Sequence, residues 1–232
     1  MSAVIKFIDR TTDIILLLFF LLLILIGGYT MYDTLLIYNA SDGEDLRIYK
    51  PIIVDGEVSW DMSALSDDVA AWLTVDDTNI DYPVMQGKDN SVYLNKDPYG
   101  NYSVSGSIFL DYRNTSDFSD DYSLIYGHHM EYGHMFGVLD DFKDKDFFDS
   151  HRTGTLTVKN KVYNIKFFAS LEADGLTPEI FIPDSAKDAL QYVTEHAMIW
   201  YEPEEGKLIA LSTCKFPETT ERTILFGVID YE

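Results

Sequence analysis

The chain contains one cysteine, Cys214, in the stretch Leu208–Arg222, which reads LIALSTCKFPETTER. Leu208 to Leu211 are apolar and Ser212-Thr213 follow, so Cys214 is expected at the end of a strand. Pro217 and the residues Glu218 to Glu221 then make a polar loop, and Arg222 opens a second β-rich run, Thr223–Asp230. A thiol at one strand end and a guanidinium at the start of the next can face one pocket. The chemistry of such a pair is a nucleophilic thiolate with a charged hydrogen-bond donor beside it. The same stretch also fits a buried structural cysteine, the commoner fate of an unpaired thiol.

A cysteine nucleophile needs a base or an ion-pair partner. Of the five histidines, two are adjacent in Tyr126-Gly127-His128-His129, at the end of an expected strand Ser123–His128. That pair also fits a plain surface turn. His134, His151 and His196 lie in loop or helix contexts. Successive side chains of a strand point to opposite faces. Alternation therefore groups His128 with Tyr126 and turns His129 away. Two histidines with a single cysteine make a poor zinc set, so no metal is expected.

The elements that must position these residues begin after an apolar N-terminus. Ile14 to Ile26 is unbroken Ile, Leu and Phe, and no charge appears until Asp33. That length suits the ~20 residues needed to cross a bilayer. Gly27, Gly28 and Tyr29 fit a small-x-small cleavage site poorly, so the segment reads as an uncleaved signal anchor. Lys6 and Arg10 precede it, whereas Asp33 to Glu44 carries no Lys or Arg. Basic residues mark the cytoplasmic side, which puts the N-terminus inside and the bulk outside. The expected organisation is a cytoplasmic tail at 1–12, an anchor at 13–32, an extracellular stalk at 33–63 and a catalytic domain at 64–232. A lone cysteine in an exported domain has no intrachain disulfide partner, which favours a reactive thiol or an intermolecular pairing. The formal net charge of −22 argues against nucleic-acid binding, which wants a basic face.

Asp33–Ser59 is polar and short of core residues, with short helices around Leu35–Tyr38 and Asp45–Tyr49. Ser66-Asp67-Asp68 before Val69–Leu73 reads as a capped short helix. Expected strands are Leu73–Val75 and Ile80–Met85 around a turn at Asp76–Asn79, then Gly106–Tyr112 and Ser123–His128. Thr153–Val158 and Val162–Leu171 form a hairpin across Lys159–Lys161. Lys207–Thr213 and Thr223–Asp230 complete eight strands. Met135–Phe142 has helical spacing, and Ser185–Met198 is the strongest helix of this part. A strand-rich, short-turned chain of this kind forms a barrel or a sandwich.

At four places the residues match a known family. Trp72–Gln86 (WLTVDDTNIDYPVMQ) resembles the first barrel strands of the sortases, cysteine transpeptidases of Gram-positive bacteria. Gly87–Asn95 (GKDNSVYLN) with Gly106–Arg113 (GSIFLDYR) is similar to a hallmark of class B. Tyr126–His129 resembles the family's histidine motif. Leu211–Cys214 with Arg222 resembles its T-L-x-T-C signature followed by a distant arginine, with Ala210 in place of the first threonine. That departure removes a hydroxyl and no catalytic group.

The resemblance implies an eight-stranded sortase-type β-barrel behind an N-terminal transmembrane helix. It implies Cys214 as nucleophile, His128 as the catalytic histidine and Arg222 as the catalytic arginine. It carries substrate contacts onto Asn90, Leu94, Tyr126 and Ser212, and by a looser match onto Thr177, Phe181 and Ile182. Asn90 as a turn residue, and Leu94, Phe181 and Ile182 as ordinary core, are the bland alternatives. The implied reaction cleaves an NPxTx-like sorting peptide of secreted surface proteins through a cysteine thioester. A peptidoglycan precursor amine then resolves the thioester, with no cofactor. Other readings are an anchored cysteine endopeptidase with water as acceptor, a pilin-polymerising class B sortase, and a non-catalytic wall-binding protein.

Overall fold

A computed structural model describes residues 2–41, 43–55, 57–214 and 220–230. It divides into two units, Met1–Ala40 and Ser41–Glu232.

The first unit is helix α1 (Ser2–Ser41). Its Ile5–Tyr38 portion is long and apolar enough to cross a membrane. Leu, Ile and Phe without proline sustain the helix, and the hydroxyls along it bond inward. Thr11 donates to Phe7 O at 2.8 Å and Thr34 to Thr30 O at 2.9 Å. Groups satisfied in this way suit an apolar solvent. The short helix expected at Leu35–Tyr38 is the last part of α1.

The second unit carries eleven described strands. A short hairpin, β1 (Ile52–Val54) with β2 (Glu57–Ser59), stands apart from the main sheet. The main sheet contains β3 (Val69–Val75), β4 (Asp81–Met85), β5 (Ile108–Leu110), β6 (Tyr122–Gly127), β7 (Thr153–Val158), β8 (Lys161–Asp174), β9 (Ile199–Trp200), β10 (Lys207–Cys214) and β11 (Glu221–Ile229). Its order is β11-β10-β6-β5-β4-β3-β7-β8-β9, and β11 also pairs with β8. That pairing closes eight strands into a barrel and leaves β9 as an appended edge. Closure removes the exposed edges that an open sheet would present. The eight barrel strands correspond one for one to the eight expected from sequence.

Alternation along β10 separates two cores. Ile209 and Leu211 join Trp72, Leu73, Val84, Ile125 and Leu225 in the barrel interior. Leu208 and Ala210 join Tyr122, Leu124, Ile224 and Phe226 in a second layer. Helices α3 (Pro178–Phe181) and α4 (Ala186–His196) cover that layer through Ile180, Phe181, Ala189 and Val193. Ser185 caps α4 by accepting from Asp188 N at 3.2 Å, so the expected helix over Ser185–Met198 is present and slightly shorter.

Three local expectations are corrected. Val69–Leu73 is strand, not helix: it pairs with β4 and with β7, and the buried Ala71, Trp72 and Leu73 fill the barrel. Ser66 opens a turn there, its carbonyl accepting from Val69 N at 3.2 Å. Met135–Phe142 gives a 3-10 helix over Gly137–Lys143 rather than an α-helix, followed by the short α2 (Lys145–Ser150). The stretch Asp33–Ser59, read as short of core residues, supplies buried Leu46 to the barrel cluster and packs Tyr49 against it, as does Trp60 just beyond. Lys50 ties that stretch to Asp81 at 2.9 Å. The expected loop at Pro217–Glu221 lies largely outside the described residues.

Candidate active site

Strand register assembles the site. β6 and β10 are parallel neighbours, with Ser212 opposite Tyr126 and Thr213 opposite Gly127. Each strand's next residue, His128 on one and Cys214 on the other, therefore emerges at the same barrel rim. β11 runs antiparallel to β10 and puts Arg222 opposite Cys214. β8 brings Ala173 opposite Arg222 on the far side. The backbone of Cys214 is described and its side chain lies outside the described residues.

A cavity of about 280 Å3 opens at this rim, lined by Asn90, Leu94, Phe109, Tyr126, Gly127, His128, Gly175, Phe181, Ser212 and Arg222. Seven residues expected from sequence thus share one cavity: Asn90, Leu94, Tyr126, His128, Phe181, Ser212 and Arg222. Thr177 and Ile182 are not among its lining residues. Thr177 is the N-cap of α3, and Ile182, 41% exposed, lines a neighbouring hollow with Arg113 and Asp184.

The two adjacent histidines part company. His128 Nε2 lies 2.8 Å from the carbonyl oxygen of Leu94, a contact that fixes the ring and assigns Nε2 the proton. His129 Nε2 instead meets Asp140 at 3.0 Å, in a cluster where Asp140 also accepts from Lys143 and Thr223. Burial pushes the Asp140 carboxyl up, but the hydrogen bonds from Lys143 and Thr223 outweigh it and hold the group below the usual range. His129 therefore has a structural partner away from the cavity lining.

Arg222 is half-buried, and burial pulls its guanidinium down while Tyr126 opposes the shift. A guanidinium stays charged even so. Its side chain runs close to Gly175, where an added Cβ would come within 3.0 Å of Nε. Ser212 Oγ is buried and has no hydrogen-bond partner among the described residues. A hydroxyl left open beside a cavity is suited to a ligand's polar atom. Tyr126 is flanked by Phe109 at 5.3 Å and Phe181 at 6.5 Å between ring centroids. Burial first, and then the Asp111 carboxylate, push its hydroxyl far up. It is a neutral donor at any physiological pH.

Phe109, Gly175 and the Asp111–Arg113 pair behind the cavity wall were not among the expected site residues, although Phe109, Asp111 and Arg113 lie in the quoted stretch Gly106–Arg113. Asp111 has no exposed surface. Burial raises its carboxyl, but Arg113's side chain and backbone, followed by Asn90, more than compensate and leave it lowered. A charged residue pair two positions apart at the end of an apolar strand was the available signal. Among the described residues no cluster of metal ligands occurs.

The fold and rim geometry define a class: a closed β-barrel in which His128 and Arg222 line one cavity and the Cys214 backbone ends the strand that lies between theirs. The sortase domain family matches residues 73–230. Sortase B of Listeria monocytogenes is 36% identical over 179 residues, which cover 73% of this chain and 73% of that protein. A solved Streptococcus pyogenes class B sortase involved in pilus biogenesis is 39% identical, with a TM-score of 0.67. It aligns with 73% of this chain and 96% of its own. A Staphylococcus aureus sortase B solved in complex with substrate is 27% identical with a TM-score of 0.66, aligned over 73% of this chain and 82% of its own. The chain belongs to the sortase family, in its class B, and is a cysteine transpeptidase.

Proposed function

We propose that this sortase is anchored by α1, cleaves an NPxTx-like sorting signal of secreted proteins through a thioester on Cys214, and transfers them to a cell-wall precursor amine. The observation that carries the residue roles is register: His128, Cys214 and Arg222 emerge side by side from three neighbouring strand ends. Cys214 is also the chain's only thiol, and a cysteine transpeptidase needs one.

The Cys214 thiolate attacks the carbonyl carbon of the threonine residue in the bound peptide, and a tetrahedral oxyanion forms. Arg222 offers fixed charged donors to that oxygen or to the peptide backbone; donors of this kind are typically worth about 3–4 kcal/mol. His128 gives a proton to the departing amine as the C–N bond breaks, leaving the thioester. The acceptor amine then attacks the thioester carbonyl, His128 takes its proton, and the thiolate departs. Asn90, Leu94, Tyr126, Phe181 and Ser212 line the cavity that holds the peptide. Thr177 and Ile182 would meet only a peptide that extends beyond it, over α3. No step requires a metal or an organic cofactor.

A second reading is that the acceptor amine belongs to another protein subunit, so that the product is a pilus. It is supported by the 39% identity to a class B sortase involved in pilus biogenesis. The N-terminus would be cytoplasmic and the catalytic unit, starting near residue 64, extracellular.

Incubating the enzyme with a peptide library, with and without an added amine, tests the reaction by mass spectrometry. Transpeptidation gives an amine-coupled product and an endopeptidase only the hydrolysed one. Cys214→Ala should abolish both. Cleavage that survives in Cys214→Ala would overturn the assignment.

A further inference from the structure

Three walls of the cavity come from distant parts of the chain: Asn90 from the loop after β4, Tyr126 from β6 and Phe181 from α3. One ion pair, a buried Asp111 with a partly exposed Arg113, touches all three. Asp111 Oδ2 accepts from Asn90 Nδ2 at 2.8 Å and from the Tyr126 hydroxyl at 3.1 Å. Arg113 grips the same carboxylate with both ends of its fork, Nε at 2.8 Å to Oδ1 and Nη2 at 2.7 Å to Oδ2. Its own backbone N–H adds a third bond, to Oδ1 at 3.0 Å. Arg113 Nη2 also donates to the carbonyl of Phe181 at 2.5 Å. Asp111 and Arg113 do not line the cavity; they stand behind it.

The pair also fixes what the wall displays. Asn90 Oδ1 accepts from Tyr112 N at 3.0 Å, so its amide cannot flip without breaking that bond and the one to Asp111. One N–H of Nδ2 and one carbonyl lone pair remain for a ligand. Tyr126 spends its only proton on Asp111, which fixes the hydroxyl's direction and leaves only oxygen lone pairs to accept. Phe181 is held at its backbone while its ring stacks on Tyr126.

We propose that Asp111 and Arg113 are a positioning pair that sets peptide specificity, by orienting Asn90 and Tyr126 and pinning Phe181 against them. The claim rests on the cavity's reading as the peptide site. Arg is required rather than Lys because a planar fork spans the two carboxylate oxygens and still reaches a third acceptor. The pair acts on binding, so its loss should separate recognition from chemistry.

The test uses the best peptide that the wild-type enzyme selects from a library, the same peptide altered at one residue at a time, and iodoacetamide as a small thiol probe. Wild-type turnover comes first: if no peptide is processed in a Cys214-dependent way, the peptide-site reading fails and the variants are not needed to show it. With turnover established, Asp111→Asn and Arg113→Gln should raise KM at least tenfold, with kcat within about threefold. They should also narrow the discrimination between the selected peptide and its altered forms, while the rate of Cys214 alkylation stays at the wild-type value. Arg113→Lys should recover little of the loss. Arg113 is partly exposed, so Arg113→Gln decides the matter if Asp111→Asn does not fold. A folded variant with KM within twofold of wild type, or one that loses kcat and alkylation together while KM holds, would overturn the proposal.

Discussion

At the scale of single residues, the roles of neighbours separate by partner rather than by type. His128 and His129 are adjacent, yet one touches a carbonyl at the cavity and the other a carboxylate outside its lining. His128→Ala should remove transpeptidation. His129→Ala should cost on the order of tenfold at most, through looser packing of the Asp140 cluster. Rates of both variants with peptide and amine decide this, and a dead His129→Ala beside an active His128→Ala would reverse the assignment. Arg222→Ala should nearly abolish turnover, and Arg222→Lys should rescue poorly, because an ammonium is a point charge where a fork holds two oxygens. Near-native rates in the lysine variant would mean that charge alone suffices. Asp111 makes a pH prediction. Its carboxyl is held lower in the folded chain than in the unfolded one. The stability this contributes is therefore present above the unfolded value, about 3.9, and lost as pH falls through the folded value. Replacement by Asn should flatten the stability–pH curve below about pH 4, measured by denaturant unfolding at stepped pH; an unchanged slope would count against the ion pair.

Elements explain which of these residues were legible beforehand. Cysteine, a histidine pair and an arginine are chemically rare types at strand ends, and the strands carrying them have the composition of strands. The eight barrel strands were therefore readable, and so was the helix that caps itself with Ser185. Val69–Leu73 was misread because Ser66-Asp67-Asp68 supplies cap-like chemistry to what is a turn, and Ala70-Ala71 is helix-tolerant. Two flanking strands decided the outcome, and flanking strands are not visible locally. β9 is two residues long, too short to show a period. The role of Asp111 and Arg113 was hidden for a similar reason: Asn90, Tyr126 and Phe181 lie 21, 15 and 68 residues from their partners. Gly127 shows the same logic in packing. An added Cβ there would come within 2.5 Å of Ile108 Cδ1 and 2.7 Å of the Phe136 ring. Gly127→Ala should therefore displace the end of β6. Overpacking of this kind typically costs about 1–3 kcal/mol, and it should impair turnover through the shift of His128. Thermal unfolding and peptide turnover check this; a variant with native stability and native rate would mean that the rim yields freely.

For the whole molecule, the question is on which side of a membrane the catalytic unit works. α1 holds 40 residues, about 60 Å at 1.5 Å per residue, against a hydrocarbon core of about 30 Å. The helix is thus long enough to span and to project beyond the bilayer. Lys6 and Arg10 lie near its start, and Asp33 to Glu44 contains neither Lys nor Arg. Basic residues close to a span are retained on the cytoplasmic side, and acidic ones count little. The asymmetry is that expected of an α1 whose start faces inward and whose following barrel faces outward. With 39 acidic against 17 basic residues in the whole chain, the net negative charge disfavours adhesion to anionic lipid headgroups. An outward barrel also meets secreted proteins as they leave the membrane, which is where a sorting signal would be available. The expected result of adding protease to intact cells is loss of the barrel with a small membrane-embedded stub that retains the N-terminus. An epitope tag at residue 1 should stay protected until the cells are permeabilised, while a tag after residue 230 should be accessible at once. Protection of the C-terminal tag in intact cells would place the barrel inside and remove the extracellular reaction with it.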